Sequence, residues 1–220
     1  MSDRVRSFGR TATWPEPAAE PAWHGLAGDV VRMLAPHTEA DPHAVLVTLL
    51  VAFGNAVGRG PGFTAEGDFH GSNLYAVIVG DTSKGRKGTS WGRVRQLVEA
   101  ADPEWSQERI MGGLSSGEGV VSQVRDQITK MVAEKVKGKA TGHYIEEVED
   151  FGVSDKRLLV VEGEFAQALR VMRREGNTLS PTLRNLWDRG DSASLTKKST
   201  ERTTGALVSI LGHILSLIHI

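Results

Sequence analysis

Three groups of residues carry the chemistry open to this sequence. The first is the run from Asn73 to Val94, NLYAVIVGDTSKGRKGTSWGRV. An apolar stretch gives way to Gly80, Gly85 and Gly88, set among the cations Lys84, Arg86 and Lys87 and followed by the hydroxyls of Thr89 and Ser90. A loop that holds nucleotide phosphates needs glycines whose backbone N–H groups turn inward and a helix whose N-terminus faces the anion. It also needs a lysine and a hydroxyl for the outer phosphates and Mg2+. Gly80 and Gly85 match the fixed glycines of G-x-x-x-x-G-K-[ST], but Arg86 stands at the lysine position and Lys87 at the hydroxyl position. A shift of one residue restores Lys87 and puts Gly88 where the hydroxyl belongs. The strict pattern fails, so a purely structural turn competes with a phosphate loop. The candidate nucleotide-binding residues are Gly80, Lys84, Gly85, Arg86, Lys87, Gly88, Thr89 and Ser90, with Lys87 favoured for the phosphates and Thr89 for the metal.

The second group is Leu158–Val161 followed by Glu162, Gly163 and Glu164. A buried strand that ends in acids can offer one carboxylate to Mg2+ and another to the attacking water. Glu162 takes the first role here and Glu164 the second. Solvated acids at a strand end are the plainer reading. The third group is His213, at the tip of an apolar run, where a polar residue can sense a γ-phosphate; a structural histidine is the alternative. Arg202, on the preceding turn, is a candidate for a phosphate held by a neighbouring subunit. The run GGLSSGEG, Gly112–Gly119, reads first as a helix cap and second as a loop at the edge of a nucleotide site.

The elements that must position these residues follow from periodicity. Pro15, Pro17 and Pro21 mark residues 1–22 as an extended or flexible arm. Leu26, Val30, Val31 and Leu34 recur at helical spacing until Pro36, and Asp41-Pro42 reads as an N-cap with proline at the first helical position, opening a helix to about Val57. A helical region thus spans 23–60. The core is expected over 70–214: a buried strand at 74–79, a helix to about Ala100, a short strand at RIMGG and a helix from about 118 to 132. Residues 133–156, rich in Lys and Glu, read as a solvated excursion. A strand at RLLVVEGEF, a helix at 165–174, another from Ser180-Pro181, a polar turn or hairpin at 196–204 and a strand at GALVSILGHI complete the series. Alternating strands and helices predict an α/β fold with a mostly parallel sheet.

Composition narrows the alternatives. The 220 residues carry a formal net charge of -1, so attraction to nucleic acid must come from a local patch. The candidates are Arg93, Arg95, Arg170, Arg173 and Arg174, the last three at i, i+3 and i+4 of one expected helix. The chain has no cysteine, which excludes disulfides, thiolate metal sites and a cysteine nucleophile, and fits a reducing cytoplasm. The longest apolar stretch, Ala44–Val57, falls short of the roughly 20 residues that a membrane span needs.

Taken in order, HGLAGDVVRMLAPHTEADPHAVLVTLLVAFGNAVGRGP, VGDTSKGRKGTSWGRV, GGLSSGEG, DKRLLVVEGEFAQALRVMRREGNTLSPTLRNLWDRGD and LVSILGHI resemble a family of actinobacterial P-loop ATPases carried on phages, plasmids and other mobile elements. That family is itself similar to the helicase half of primase–helicase proteins. The resemblance covers about residues 22–214. It implies a RecA- or AAA-like P-loop NTPase core behind a small helical region, with ATP and Mg2+ as cofactors. DNA is an implied partner, and a homo-oligomer an implied assembly. The family's loop falls on Gly80–Ser90, its acidic strand end on Glu162 and Glu164, and its last strand on Leu207–Gly212 with His213 at the tip. The tail LSLIHI, 215–220, departs from the family pattern and suggests either a truncated chain or a foreign tail from Leu215 onward, with an incomplete core and impaired hydrolysis. A helicase-like ATPase, a nucleotide-binding assembly module without turnover, and a small-metabolite kinase are the competing functions.

Overall fold

The computed structural model of the chain describes residues 16–80, 87–136, 139–193 and 201–215, with the side chains of Lys87, Val136, Lys139 and Ala140 left aside. A 3-10 turn at Glu20–Trp23 leads into helices α1 (Gly25–Leu34) and α2 (Pro42–Ala56). Strands β1 (Gly62–Ala65) and β2 (Asp68–Gly71) form a small hairpin. Next come β3 (Tyr75–Gly80), α3 (Lys87–Ala101), α4 (Pro103–Glu108), β4 (Ile110–Met111) and α5 (Gly117–Ser122). A long antiparallel pair, β5 (Ile128–Val136) and β6 (Lys139–Asp150), precedes β7 (Arg157–Glu162). Helices α6 (Phe165–Met172) and α7 (Leu179–Asp188), the short pair β8 (Ser192–Ala193) and β9 (Arg202–Thr203), and finally β10 (Leu207–Leu215) follow.

The core sheet has the order β3-β10-β7-β4, and every pairing in it is parallel. The fold is therefore α/β with an all-parallel central sheet, an architecture compatible with a nucleotide-binding core. The chain crosses the sheet once from β3 to β4, then steps back through β7 to β10. Parallel crossovers are right-handed, so reversing direction moves the connecting helices to the other face. Side chains alternate accordingly. Leu159 and Leu211 face α1 to α4, where Val45, Val51, Val94 and Trp105 are buried. Leu158, Val160, Val208 and Ile210 face α5 to α7, against Val120, Leu179, Leu183 and Leu186. Strands covered on both faces must be apolar throughout, which is why LLVV and LVSIL read as continuous runs.

Local sequence explains the helix boundaries. Asp41 caps α2 by accepting from the N–H groups of His43 (2.8 Å) and Ala44 (3.4 Å), with Pro42 in the first turn. At Gly28 a Cβ would fall 1.6 Å from the carbonyl oxygen of Trp23, so only glycine lets α1 pack on the turn before it. In the β1–β2 hairpin, Glu66 (φ 51°) and Gly67 (φ 94°) form a two-residue turn with both residues in the left-handed region.

Three stretches differ from the sequence reading. Residues 62–71 form a hairpin where no strand is expected. The helix expected to reach 132 ends at Ser122, because side chains capture the carbonyls that would continue it. Arg125 donates to Ser122 O (2.8 Å), Arg109 to Gln123 O (2.6 Å), Thr203 to Val124 O (2.6 Å) and Lys156 to Arg125 O (2.7 Å). Residues 128–150, expected as the end of a helix and a solvated excursion, are instead the β5–β6 hairpin; Ile128, Thr129, Val132, Tyr144, Ile145 and Val148 give it β-branched and aromatic character. Its root is fixed by Arg125 on Asp150 (2.6 Å) and Lys156 on Asp126 (2.8 Å). The hydrogen bonds from Arg125 and Gly152 hold Asp150 below the usual carboxylate range. For Asp126 burial pushes upward, but Lys156 and Thr204 outweigh it and the carboxyl lies low.

One buried side chain ties the helical layer to the sheet. The Asn55 amide nitrogen donates to Leu158 O (3.0 Å), Leu207 O (2.9 Å) and Ser209 Oγ (3.2 Å), and its oxygen accepts from the Trp105 indole (3.0 Å). Asn55 and Trp105 are both fully buried. Replacing Asn55 with Leu leaves the indole without its acceptor and three oxygens without this donor. The expected loss is about 3 kcal/mol of unfolding free energy, seen as a lower urea midpoint at unchanged slope. A loss below about 1 kcal/mol would show that the amide is replaceable.

Candidate functional site

Because all four core strands are parallel, their C-terminal ends share one edge, and that edge carries the sequence candidates. The register sets their levels: Gly80 lies opposite Leu215, Ile78 opposite His213, and Glu162 opposite Gly212. β10 lies between β3 and β7, so the His213 position stands between the strand that feeds the glycine-rich run and the strand that ends in acids. His213 is buried and, by alternation, shares the face of Leu211 and Ile78. In open α/β sheets ligands bind outside the carboxyl ends of the strands where the chain reverses direction. Here that point is the gap between β3 and its neighbour β10.

Lys84, Gly85 and Arg86 lie outside the described residues. Lys87 opens α3, so this cation stands at a helix N-terminus, where the macrodipole favours an anion. Gly88 is exposed, and a Cβ there would meet nothing within 4 Å. The two hydroxyls have separate surroundings. Ser90 is fully buried and its Oγ accepts from Thr48 of α2 at 3.4 Å. Thr89 is half-buried and is the better exposed of the pair.

Glu162 is already engaged. Its Oε1 accepts from the backbone N–H groups of Gly113 and Leu114, both at 2.6 Å. Two glycines make this possible. A Cβ on Gly112 would fall 2.8 Å from Val161 O, and Gly113 has φ 95°. The run Gly112–Gly119 thus joins the edge of the sheet to α5. The expected cap is present, with Ser116 Oγ accepting from Gly119 N at 3.1 Å. Glu118 does not close a capping box. It accepts from Thr178 (2.7 Å), and that bond, followed by its own backbone N–H, holds it below the usual carboxylate range.

Glu164 precedes α6 with φ -136° and ψ 79°, and its side chain does not cap the helix. Its Oε1 is buried without a hydrogen-bond partner among the described residues. Buried carboxylate oxygens are normally satisfied, so this one is set apart. The next residue, Phe165, sets its ring beside Gly212, where a Cβ would come within 2.8 Å of it. Gly212, a glycine inside an apolar strand, is the signal that sequence reasoning passed over.

The arginine candidates for DNA contact do not form one patch. Arg93 donates to His37 O (2.5 Å), and Arg95 pairs with Glu99 (2.7 Å), both on the α3 side of the sheet. Arg170 lies in the last turn of α6 on the opposite side, Arg173 is its C-cap and Arg174 follows it, so the three do not share a helix. Arg202 lies 3.7 Å from Asp126, ahead of β10 and so at the far end of the sheet from Gly80.

Comparison with protein-family models finds no match to this chain, and comparison with curated proteins finds none either. Among the described residues no helix is long and apolar enough to cross a membrane.

Removing the Glu162 carboxylate tests the clamp. In Glu162→Ala the amides of Gly113 and Leu114 are expected to exchange with deuterium at least about tenfold faster, since hydrogen bonds to charged groups contribute about 1.5–3 kcal/mol. Glu162→Gln retains an oxygen acceptor and is expected to restore most of the protection. Unchanged exchange in Glu162→Ala would show that other contacts hold the loop.

Proposed function

We propose that the chain is a P-loop NTPase core that binds ATP with Mg2+ between β3 and β7 and serves as a helicase-like ATPase in the replication of a mobile element. The observation that carries this reading is the strand order. The glycine- and lysine-rich run leaves the edge strand at the point where the parallel sheet reverses direction, and the acid-tipped strand β7 lies one strand away across β10. Lys87 at the start of α3 neutralises the β- and γ-phosphates, and the helix N-terminus supplies N–H donors. Thr89 and Glu162 supply hard oxygen ligands of the kind Mg2+ prefers, and one or two carboxylates suffice where phosphates complete the shell. Glu164 orients the attacking water, the role its buried oxygen suits. His213, on the intervening strand, reports the state of the γ-phosphate.

A second reading, nucleotide binding without turnover within an assembly, draws support from the Glu162 clamp. With Oε1 bound to two backbone N–H groups, the carboxylate must change partners before it serves a metal fully. Calorimetry with Mg-ATP tests the shared claim: the chain is expected to bind and Lys87→Ala to lose affinity at least about tenfold, the scale of a charge-assisted hydrogen bond. Equal binding by the variant, or none by the parent chain, would contradict a phosphate loop at Gly80–Ser90. Phosphate release that rises with DNA supports the helicase-like role, and binding without release supports the module.

A further inference from the structure

Helix α2 is apolar on its outer side as well as its inner one. Val45, Thr48, Val51, Ala52 and Asn55 are buried toward the sheet and α3. Between Ala44 and Val57 the exposed residues are Val47, Leu50, Phe53 and Val57, and none of them is polar. Phe53 and Leu50 keep 53% and 41% of their surface in solvent. The neighbouring helix α3 has the usual surface face instead: its exposed residues include Arg95, Gln96 and Glu99, with Arg95 paired to Glu99 at 2.7 Å. A helix that is hydrophobic all round is normally enclosed, and among the described residues nothing encloses this face of α2.

Spacing identifies the occupant. Leu46, Leu50, Phe53 and Val57 follow one another at intervals of four, three and four residues, with Val47 alongside. At about 100° per residue they fall in one narrow stripe, on the side opposite Thr48 and Asn55. Alternating steps of three and four form the seam by which one helix packs along another. The occupant is therefore a helix with an apolar stripe of its own, and a second α2 has one. The stripe holds no charge, so two copies meet without like-charge repulsion, and a two-fold pair buries the same residues on both sides. Area sets the strength. The exposed side chains leave roughly 300 Å² uncovered on each copy, the scale at which a patch on a monomer marks a binding surface. Two stripes with the surface around them approach about 1,000 Å², the low end for specific interfaces, so the pair is reversible.

We infer that the outer face of α2 docks the α2 of a second copy of this chain, giving a reversible two-fold dimer. The inference does not rest on the nucleotide reading, because the stripe faces away from the sheet and from Ser90 at the start of α3. Sedimentation velocity of the full chain without nucleotide, from about 1 to 100 µM, tests it. The parent chain is expected to pass from monomer to dimer across that range. Leu50→Lys combined with Phe53→Lys should weaken the association at least about tenfold, and Gln96→Lys on α3 should leave it unchanged. Urea unfolding checks that the double variant is folded. A second readout needs no added charge. The chain has no cysteine, so Leu50→Cys mixed with Phe53→Cys should form disulfides between copies at least about tenfold faster than Gln96→Cys does under the same oxidant, since docking raises the local thiol concentration. A parent chain that stays monomeric at about 100 µM, a dimer indifferent to both lysines, or cross-linking no faster than at Gln96 overturns the proposal. Two further outcomes overturn it by naming another occupant. Lysine-sensitive binding of a monomer to phosphatidylcholine vesicles makes the stripe a lipid-facing surface, and dimerisation only after removal of residues 1–15 makes that segment its cover. Mg-ATP calorimetry on the same samples separates the two claims: a lost dimer with ATP binding kept isolates the stripe, and a dimer that binds no ATP sinks only the nucleotide reading.

Discussion

Everything in this fold depends on hiding β10. Leu207 to Ile214 are all buried, and the strand is hydrogen-bonded on both edges, to β3 and β7. A strand in that position exposes nothing to water, so both of its faces must be covered by helices. Parallel pairing adds a second demand, because each connection must run back the length of the sheet before the next strand begins. The two crossings of the sheet meet both demands, one helical layer per face. Asn55 makes the first layer specific rather than merely greasy. A buried amide whose nitrogen finds its acceptors over the starts of β7 and β10, while its oxygen takes the Trp105 indole, fixes where α2 lies.

That arrangement separates two ends of the molecule. At the carboxyl edge, glycines at 112, 113 and 212 allow backbone and ring to approach closely, and Glu162 and Glu164 sit at the same strand end with different surroundings: one carboxylate is held by two N–H groups, the other has a buried oxygen with no hydrogen-bond partner among the described residues. Such asymmetry suits a site in which neighbouring acids perform unlike tasks. At the amino edge, Arg109, Arg125, Lys156 and Thr203 gather the carbonyls of residues 122–125 and leave the chain no choice but to turn outward into the hairpin.

What the sequence made legible follows the strength of local signals. The runs RLLVVE and ALVSILGHI were readable because burial on both faces writes itself as uninterrupted apolar residues, and the Asp41-Pro42 cap because its residue types are local signals; LYAVIV is as apolar, yet on the edge strand β3 it leaves Val77 and Val79 exposed. The end of α5 was not readable, since four carbonyls are captured by side chains as far as 79 positions away in sequence. The β1–β2 hairpin was hidden by a Glu-Gly turn, in which Glu66 accepts a left-handed backbone that Asn or Asp more often signals. At the candidate site, the sequence named Glu162 and Glu164 but gave no sign that the Gly112–Leu114 loop would claim the first. The burial of Ser90 against Thr48, which separates it from Thr89, is a tertiary fact that helix periodicity does not carry.

The central claim is that the carboxyl edge between β3 and β7 holds a nucleoside triphosphate. A crystal structure grown with Mg2+ and a non-hydrolysable ATP analogue tests it most directly. The account predicts phosphates wrapped by Gly80–Ser90 at the N-terminus of α3, with Glu162 and Glu164 facing them. Nucleotide bound elsewhere on the chain, or an empty loop at saturating analogue, would contradict it.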